Sequence, residues 1–350
     1  MGYYGFFFRK FAFASPLEIV TFNAPISILI ACKNEAENLE QLLPLLLQQN
    51  YASFEIILIN DHSTDATAAV MQRFAKDDSR IKWFEMSDNT HTSGNKKKAL
   101  TFGIQKATYD YLLFTDADCM PVSTQWISEM AQGFGMGKSI VLGYGPYHNK
   151  PTLLNAVIRY ETLLTAWQYF SYAMHGLPYM GVGRNLGYTR SLFDQNNGFA
   201  THQHLKSGDD DLLVSQNATA ANVACLWHEK AHTLSKPKTT WASWLHQKRR
   251  HITTATQYKP IHQVLLALFY GTQVLFYSLF ILLLLHYPFS ILVLFIVLLR
   301  FIAYYYTLIP VSKKLNETDL IWKAPLLELI LILLQGGLFI SNGIRKPKNW

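Results

Sequence analysis

From Pro25 onward, short runs of aliphatic and β-branched residues alternate with stretches whose apolar positions recur every three to four residues. ISILIACKN (26–34) predicts a buried strand ending in polar residues, and NLEQLLPLLLQQ (38–49) a helix behind it. EIILINDHS (55–63) predicts a second strand and DATAAVMQRFAKD (65–77) a second helix, with Asp65 placed as its N-cap. IKWFEM, KKKALTFGIQKAT and DYLLFTDAD continue the alternation as strand, helix and strand. That order predicts an α/β, Rossmann-like fold, a mostly parallel sheet covered by helices on both faces. Ligands of such sheets bind beyond the carboxyl ends of the strands. Asn34–Glu35, Asn60–Asp61 and Asp116–Asp118 all fall at those ends, so polar residues distant in sequence are expected along one edge.

The pattern changes after Pro146. PTLLNAVIRYETLLTAWQYFSYAM (151–174) predicts one long aromatic-rich helix, either a core helix or one lying on a bilayer surface. The apolar runs 262–286 and 289–311 are each long enough to cross a hydrocarbon core of roughly 30 Å at about 1.5 Å per residue. HYPF between them predicts a hairpin. A third run, 324–344, also has spanning length, but QGG at 335–337 leaves room for a re-entrant or interfacial segment. The lysines of 312–323 and the QKRRH ahead of the first run belong on the cytosolic side. Three full crossings would put the terminal RKPKNW outside, against the same rule. Arg300 falls near the middle of the second run, where a lone arginine costs roughly 3 kcal/mol. It either pairs with Glu328 or snorkels to the headgroups. The opening MGYYGFFFRKFAFA lacks the long apolar core of a signal peptide and predicts an interfacial segment or a loose tail. The expected domains are thus an N-terminal segment (1–22), an α/β domain (23–255) and a membrane domain (256–350), multi-pass with the α/β part cytosolic.

Composition narrows the partners. The formal charge of +7 suits nucleic acid, an anionic membrane surface or a phosphate-bearing substrate. The cations cluster beside the apolar runs, which favours the membrane and argues against nucleic acid. Cys32, Cys119 and Cys225 are far apart and not in CxxC pairs. They predict neither a disulfide framework nor a structural zinc site, and fit a reducing compartment.

The carboxylates need an explanation. At an effective dielectric of about 20, like charges about 4 Å apart cost roughly 4 kcal/mol. A divalent cation reverses that sign, and hard oxygen ligands suit Mg²⁺ or Mn²⁺. Asp116-x-Asp118 at a strand end can therefore bridge a dication to a diphosphate, or be ordinary turn chemistry. Asp61 is placed to accept a hydrogen bond from a base N–H, or to shape a turn. Lys96, in NKKKAL, opens a helix near the presumed nucleotide, or belongs to a solvated face. SGDDDLL puts Asp209, Asp210 and Asp211 ahead of a helix, where negative charge complements the macrodipole. QKRRH adds cations just before the membrane, as a headgroup anchor does.

Taken in this order, the segments resemble the membrane-associated family 2 glycosyltransferases, whose catalytic domain has the GT-A fold. The resemblance covers about Pro25 to His251. ACKNEAENL is similar to the family's Asn-Glu start. NDHSTD resembles its Asp-Asp-x-Ser-x-Asp with Asn60 in place of the first Asp, and NKKKAL its Gly-Lys-x-x-Ala-Leu with Asn95 for Gly. DAD resembles the metal motif, GVGRNLGYTRSLFDQNNGF the acceptor-side segment, and GDDD the Glu-Asp of the catalytic base. QKRRH is similar to Gln-x-x-Arg-Trp with His251 for Trp, a departure that bears on polymer synthesis more than on transfer.

The resemblance implies inverting, single-displacement transfer from a nucleotide-sugar donor, UDP-activated, to a lipid or glycan acceptor. It implies Asp116 and Asp118 as ligands of Mg²⁺ or Mn²⁺. Asn34, Glu35, Asp61, Lys96, Asp116, Gln247 and Arg250 would hold the nucleotide sugar. Asp210 would be the base, with Asp209, Arg184 and His251 on the acceptor side. An enzyme adding one sugar to a membrane lipid is the first reading and a processive polysaccharide synthase the alternative. A non-catalytic membrane subunit is a third, opposed by the intact Asp116, Asp118, Asp210 and Arg250.

Overall fold

The computed structural model describes residues 1–15, 20–86, 95–205, 207–287 and 290–344. The chain divides into two compact units. One comprises the described residues of Pro16–His148 and Pro178–Pro237, the other those of Met1–Ser15, Asn149–Leu177 and Lys238–Lys348. This division is not the linear one expected at 22 and 255, because the long helix after Pro151 packs with the apolar C-terminal helices.

The first unit is built on a seven-stranded sheet in the order β3-β2-β1-β4-β7-β6-β8. Its strands are β1 (Ile26–Cys32), β2 (Phe54–Asn60), β3 (Ile81–Glu85), β4 (Tyr111–Phe114), β6 (Ile140–Leu142), β7 (Leu186–Thr189) and β8 (Val223–Cys225). β5 (Cys119–Pro121) pairs antiparallel with β9 (Thr233–Ser235) in a separate two-stranded ribbon. β1 to β4 are mutually parallel, and β7 runs antiparallel between β4 and β6. β2 is buried along its whole length; its apolar run Ile56–Ile59 suits a strand covered on both faces, and the buried Glu55 is bound by Ser27, Thr108 and Lys82. The helices Ala36–Leu47, Thr67–Asp77 and Lys96–Lys106 fall where the pattern places them. In register, Cys32 lies opposite Asn60 and Asn60 opposite Glu85, so β1, β2 and β3 end level on one edge.

Asp65 is not the N-cap position of the second helix, which begins at Thr67 with Ala66 as cap. Its carboxylate still accepts from the Thr67 N–H at 3.0 Å and from Ala36 N at 3.4 Å, so it ties two helix starts together.

In the second unit, Pro260–His286, Ile291–Lys314 and Ala324–Ile344 are helices. Among the described residues, three helical stretches are long and apolar enough to cross a membrane. Arg300 does not snorkel: it is 5% exposed, and its Nη2 lies 2.6 Å from both oxygens of Glu328. Glu328 also accepts from the hydroxyls of Tyr277 (2.6 Å) and Tyr4 (3.1 Å) and from the Gln273 amide (3.2 Å). Residues 1–15 are not a loose tail. Tyr3–Ala12 is helical, Phe8 and Phe11 are fully buried, and the Trp167 indole donates to the Phe8 carbonyl at 3.2 Å. The turn residues 288–289 and the terminal RKPKNW lie outside the described residues.

The long helix is Leu153–Met174, capped by Thr152, whose side chain accepts from Asn155 N. Two of its charges hold neighbouring segments. Arg159 binds Asp319 (2.6 and 2.8 Å) and Glu317 (2.5 Å), and Glu161 pairs with Lys248 at 2.5 Å. Arg249 donates to Asn342 Oδ1 at 2.9 Å, and the Asn342 amide returns a bond to the Arg249 carbonyl at 3.0 Å.

Candidate active site

The polar edge of the sheet is where the chemistry gathers. β4 ends at Phe114, and the chain turns through Thr115–Asp118 into β5, with Cys119 N bonded to the Asp116 carbonyl. Thr115 Oγ1 donates to the Arg184 carbonyl at 3.1 Å, which ties the turn to the segment before β7. Asp116 and Asp118 are both half-buried, and their carboxylate oxygens and Cys119 Sγ lie within 4.8 Å of one another. Cys119 is a poor ligand here. Burial, then Asp116 and Asp118, push its thiol well above the ordinary cysteine value. The protonated thiol donates to Asp118 Oδ1 at 3.3 Å and lies 3.0 Å from Ser235 Oγ.

Lys96 links this turn to the second acidic group. Its Nζ is 2.7 Å from Asp116 Oδ1 and 2.9 Å from Asp209 Oδ2. Burial opposes its charge, but Asp116, Asp209 and Asp210 hold the ammonium well above the usual lysine value. Lys97 is buried too, and donates to the carbonyls of His202 (2.5 Å) and Ser207 (3.0 Å) ahead of the aspartates. The lysine run is therefore not a solvated face. One lysine bridges the carboxylates and the next pins their loop.

Asp210 caps the helix Asp211–Asn217. Its Oδ1 accepts from Asp211 N and its Oδ2 from Gly183 N, both at 2.7 Å. Gly183 permits this approach, since a Cβ there would sit 3.3 Å from Asp210 Oδ2 and 3.4 Å from Lys96 Nζ. Gly208 takes a φ of +103°, open to glycine, and turns the chain into the acidic run. Burial, then Asp209 and Asp211, raise the Asp210 carboxyl to about 7, with Lys96 and the Gly183 N–H offsetting part of the rise. Asp209 is the opposite case. Burial raises it, but Lys96, a backbone N–H and Lys97 together outweigh burial and hold it below the usual carboxylate range.

The remaining predicted residues divide. Glu35 is half-buried and accepts from the Asn38 amide at 2.6 Å. Burial raises its carboxyl, Asn38 offsets part of this, and Asp118, Asp116 and Asp65 push it up further. Asn34, at φ 57°, binds Thr64 N (2.8 Å) and Ser63 Oγ (3.0 Å) and so shapes the loop. Asp61 is buried, and its Oδ2 accepts the backbone N–H of Asn95 at 2.7 Å, anchoring the start of the Lys96 helix. Asn60, where the family pattern has Asp, donates its amide to both Glu85 oxygens at 3.0 and 2.9 Å. Arg184 stacks 4.3 Å over the Tyr147 ring, and Asp116 and Asp118 are among the charges that raise it. Gln247, Arg250 and His251 lie in the other unit, on the helix Trp241–Ile252. Their i, i+3, i+4 spacing sets them on one face, and Lys248 and Arg249 between them are bound to Glu161 and Asn342.

Sequence reasoning missed Lys97, Tyr147, Tyr188, Asn185 and Ser235. Asn185 is buried and joins the Trp126 indole to the Tyr144 and Ala231 carbonyls. Asn185 lies just ahead of β7 (Leu186–Thr189) and Tyr188 within it, and neither stands out in RNLGYT from its polar neighbours.

The family model described as glycosyl transferase family 2 matches residues 27–195, and that of glycosyl transferase family group 2 matches 115–310. A poly-beta-1,6-N-acetyl-D-glucosamine synthase of Staphylococcus epidermidis is 39% identical over 93 residues, 27% of this chain and 21% of that protein. Its counterpart from Staphylococcus aureus (strain COL) is 32% identical over 143 residues, 40% of this chain and 33% of the relative. The matches thus span a third or less of these curated relatives. Among solved structures, the mannosyltransferase PcManGT from Pyrobaculum calidifontis, in complex with GDP-Man and Mn²⁺, covers 92% of this chain and 93% of its own. The TM-score is 0.55 at 16% identity, a likeness of fold.

Proposed function

Because the chain belongs to the family 2 glycosyltransferases, we propose that it is a membrane-bound inverting enzyme moving a sugar from a nucleotide-sugar donor to a membrane-held acceptor. The observation that carries this is Lys96, within 2.7 Å of Asp116 and 2.9 Å of Asp209. It brings the strand-end carboxylates and the acidic run before the helix Asp211–Asn217 into one cleft, lined by Lys96, Thr115, Asp116, Gly183, Asp209 and Asp210.

The donor set fits a dication. Asp116, Asp118, Asp209, Asp210 and Glu35 supply five carboxylates against the cations Lys96 and Arg184. Asp116 and Asp118 would hold Mg²⁺ or Mn²⁺, hard ions suited to carboxylate oxygen. Bound there, the ion supplies charge stabilisation to the departing diphosphate. Lys96 binds the donor phosphates, turning from its carboxylates to do so, and Arg184 adds a fixed positive charge behind the metal-binding turn. Asp210 is the base. The acceptor O–H gives its proton to the Asp210 carboxylate as the new glycosidic bond forms. The bond from the sugar to the phosphate breaks, and the nucleoside diphosphate leaves with its electron pair. A carboxylate raised to about 7 is matched to that task near neutral pH. The family resemblance alone assigns Gln247 and Arg250 to the donor diphosphate and His251 to the acceptor.

The donor is UDP-activated, and the product is one sugar on a membrane lipid. A processive polysaccharide synthase is the second reading, favoured by the named products of the Staphylococcus relatives. Pro260–His286 and Ile291–Lys314 cross as a hairpin with the catalytic unit cytosolic. Ala324–Ile344, a helix unbroken through the QGG at 335–337, lies along the cytosolic interface instead of crossing. In support, Asp319 ahead of it and Asn342 near its end are bound to Arg159 and Arg249. Arg249 neighbours Lys248, which Glu161 holds two residues along the helix from Arg159.

The test is to incubate membranes carrying the full chain with labelled nucleotide sugars, then extract lipid and polymer fractions. Label in a single-sugar lipid supports the first reading and label in long chains the second. Asp210→Asn is expected to keep metal-dependent nucleotide binding and lose transfer by about 10²–10⁴-fold. Wild-type turnover by that variant removes Asp210 from the mechanism.

A further inference from the structure

Tyr188 carries a hydroxyl that packing does not explain. It stands on β7 opposite Leu112 of β4 and Ile140 of β6. Its ring stacks on Phe114 (centroids 4.2 Å apart, planes at 21°) and on Phe193 (6.1 Å, 10°). Phenylalanine would make both contacts equally well. The residue is 1% exposed, and its phenol oxygen has no hydrogen-bond partner among the described residues. Leaving such a group unsatisfied costs about 1–3 kcal/mol.

The side chain lines the same cleft as Lys96, Asp116, Asp209 and Asp210, and its neighbours in the floor, Leu29, Phe114 and Leu186, are apolar. The charges that act on it are those of Asp209, Lys96 and Asp210, and burial keeps the phenol protonated and able to donate. We propose that Tyr188 is a positioning residue for the base: its O–H, relayed by one bridging water, donates to the Asp209–Asp210 carboxylate pair and stabilises the ionised form that takes the acceptor's proton. The phenol, the two carboxylates and the Lys96 ammonium give that water the two to four polar partners a buried water requires. The other charges facing the pair are Asp211, beside Asp210, the buried Lys97, which acts on Asp209, and Asp116, across Lys96. This inference rests on the reading of Asp210 as base.

Tyr188→Phe in the full-length chain removes one oxygen and keeps the ring. The dipole of a donor hydroxyl favours the carboxylate anion, so its loss displaces the acid limb of kcat/KM to higher pH. The expected displacement is about half to one pH unit, a three- to tenfold loss of rate on that limb. The donor KM is expected to stay the same and the Tm not to fall, since the oxygen removed had no protein partner. A lowered Tm with an unmoved pH profile makes the hydroxyl structural and overturns the inference, as does a variant identical to wild type in both. Asp210→Asn measured alongside separates the two levels. If it transfers sugar like wild type, the base assignment fails and this inference with it. If it is inert while Tyr188→Phe is unchanged, only the inference fails.

Discussion

The protonation of Asp210 offers the sharpest quantitative test. Its carboxyl, raised to about 7, lies some three pH units above an ordinary aspartate. Only the anion can accept the acceptor's proton. About a tenth of Asp210 is then ionised at pH 6 and about nine-tenths at pH 8, so kcat/KM should rise roughly tenfold across that window. The ratio is the right observable, because it titrates the free enzyme, the state described here, whereas kcat titrates the substrate complex. Asp209→Asn is the perturbation. Neighbouring carboxylates roughly 5 Å apart repel by about 3 kcal/mol at an effective dielectric near 20. Lys96, 2.9 Å from Asp209, already cancels part of this. With about half remaining, and about 1.4 kcal/mol per pH unit, removing the Asp209 charge should lower the acid limb by about one unit. Lys96, released from Asp209, pushes the same way. The assay is the initial rate of labelled-sugar transfer from pH 5.5 to 8.5 in one membrane preparation, at donor concentrations well below KM. A flat profile through pH 7, or an Asp209→Asn limb at or above the wild-type position, refutes the reasoning.

Three further outcomes are expected. Arg300→Leu or Glu328→Leu alone should cost about 3–5 kcal/mol in detergent, because each strands a buried charge. The double variant should cost much less than their sum, and strict additivity would deny the coupling that the 2.6 Å contacts imply. Asn60→Asp should destabilise the fold by about 1–2 kcal/mol, since it sets a second carboxylate about 3 Å from Glu85, with Glu85→Gln restoring stability; chemical denaturation of the single and paired variants checks both. Cysteines introduced at Lys323 and Asn342 should label from the same face of sealed vesicles, whereas labelling from opposite faces would make Ala324–Ile344 a full crossing.

Much of the fold was legible because burial leaves a periodic trace. The apolar run Ile56–Ile59 marks a strand covered on both faces, and β2 is buried from end to end. The strand ends were legible for the same reason, since Asn34, Asp61 and Asp116 each stand two residues past the last apolar one. Arg300 and Glu328 were suspect together because each is too costly alone in an apolar run, and the structure joins them. The cap of the second helix was misplaced by one residue, because Asp65 binds Thr67 N from just outside the helix and an Asp in that pattern reads the same either way.

The sequence by itself determined the strand–helix alternation, the apolar helices and the set of acidic residues at strand ends, because each is written in neighbouring residues. Only the tertiary structure decided how those acids are charged. Whether Lys96 lies between Asp116 and Asp209 depends on a helix start anchored by Asp61, some thirty residues away, through the Asn95 N–H. Whether Asp210 is a strong or weak acid depends on Gly183, Asp209 and Asp211 around one carboxylate. Interactions of this kind fall off over a few ångströms in space and carry no period along the chain. The unpartnered hydroxyl of Tyr188 belongs with them, since one aromatic residue in a strand looks the same whether its oxygen meets solvent or a base.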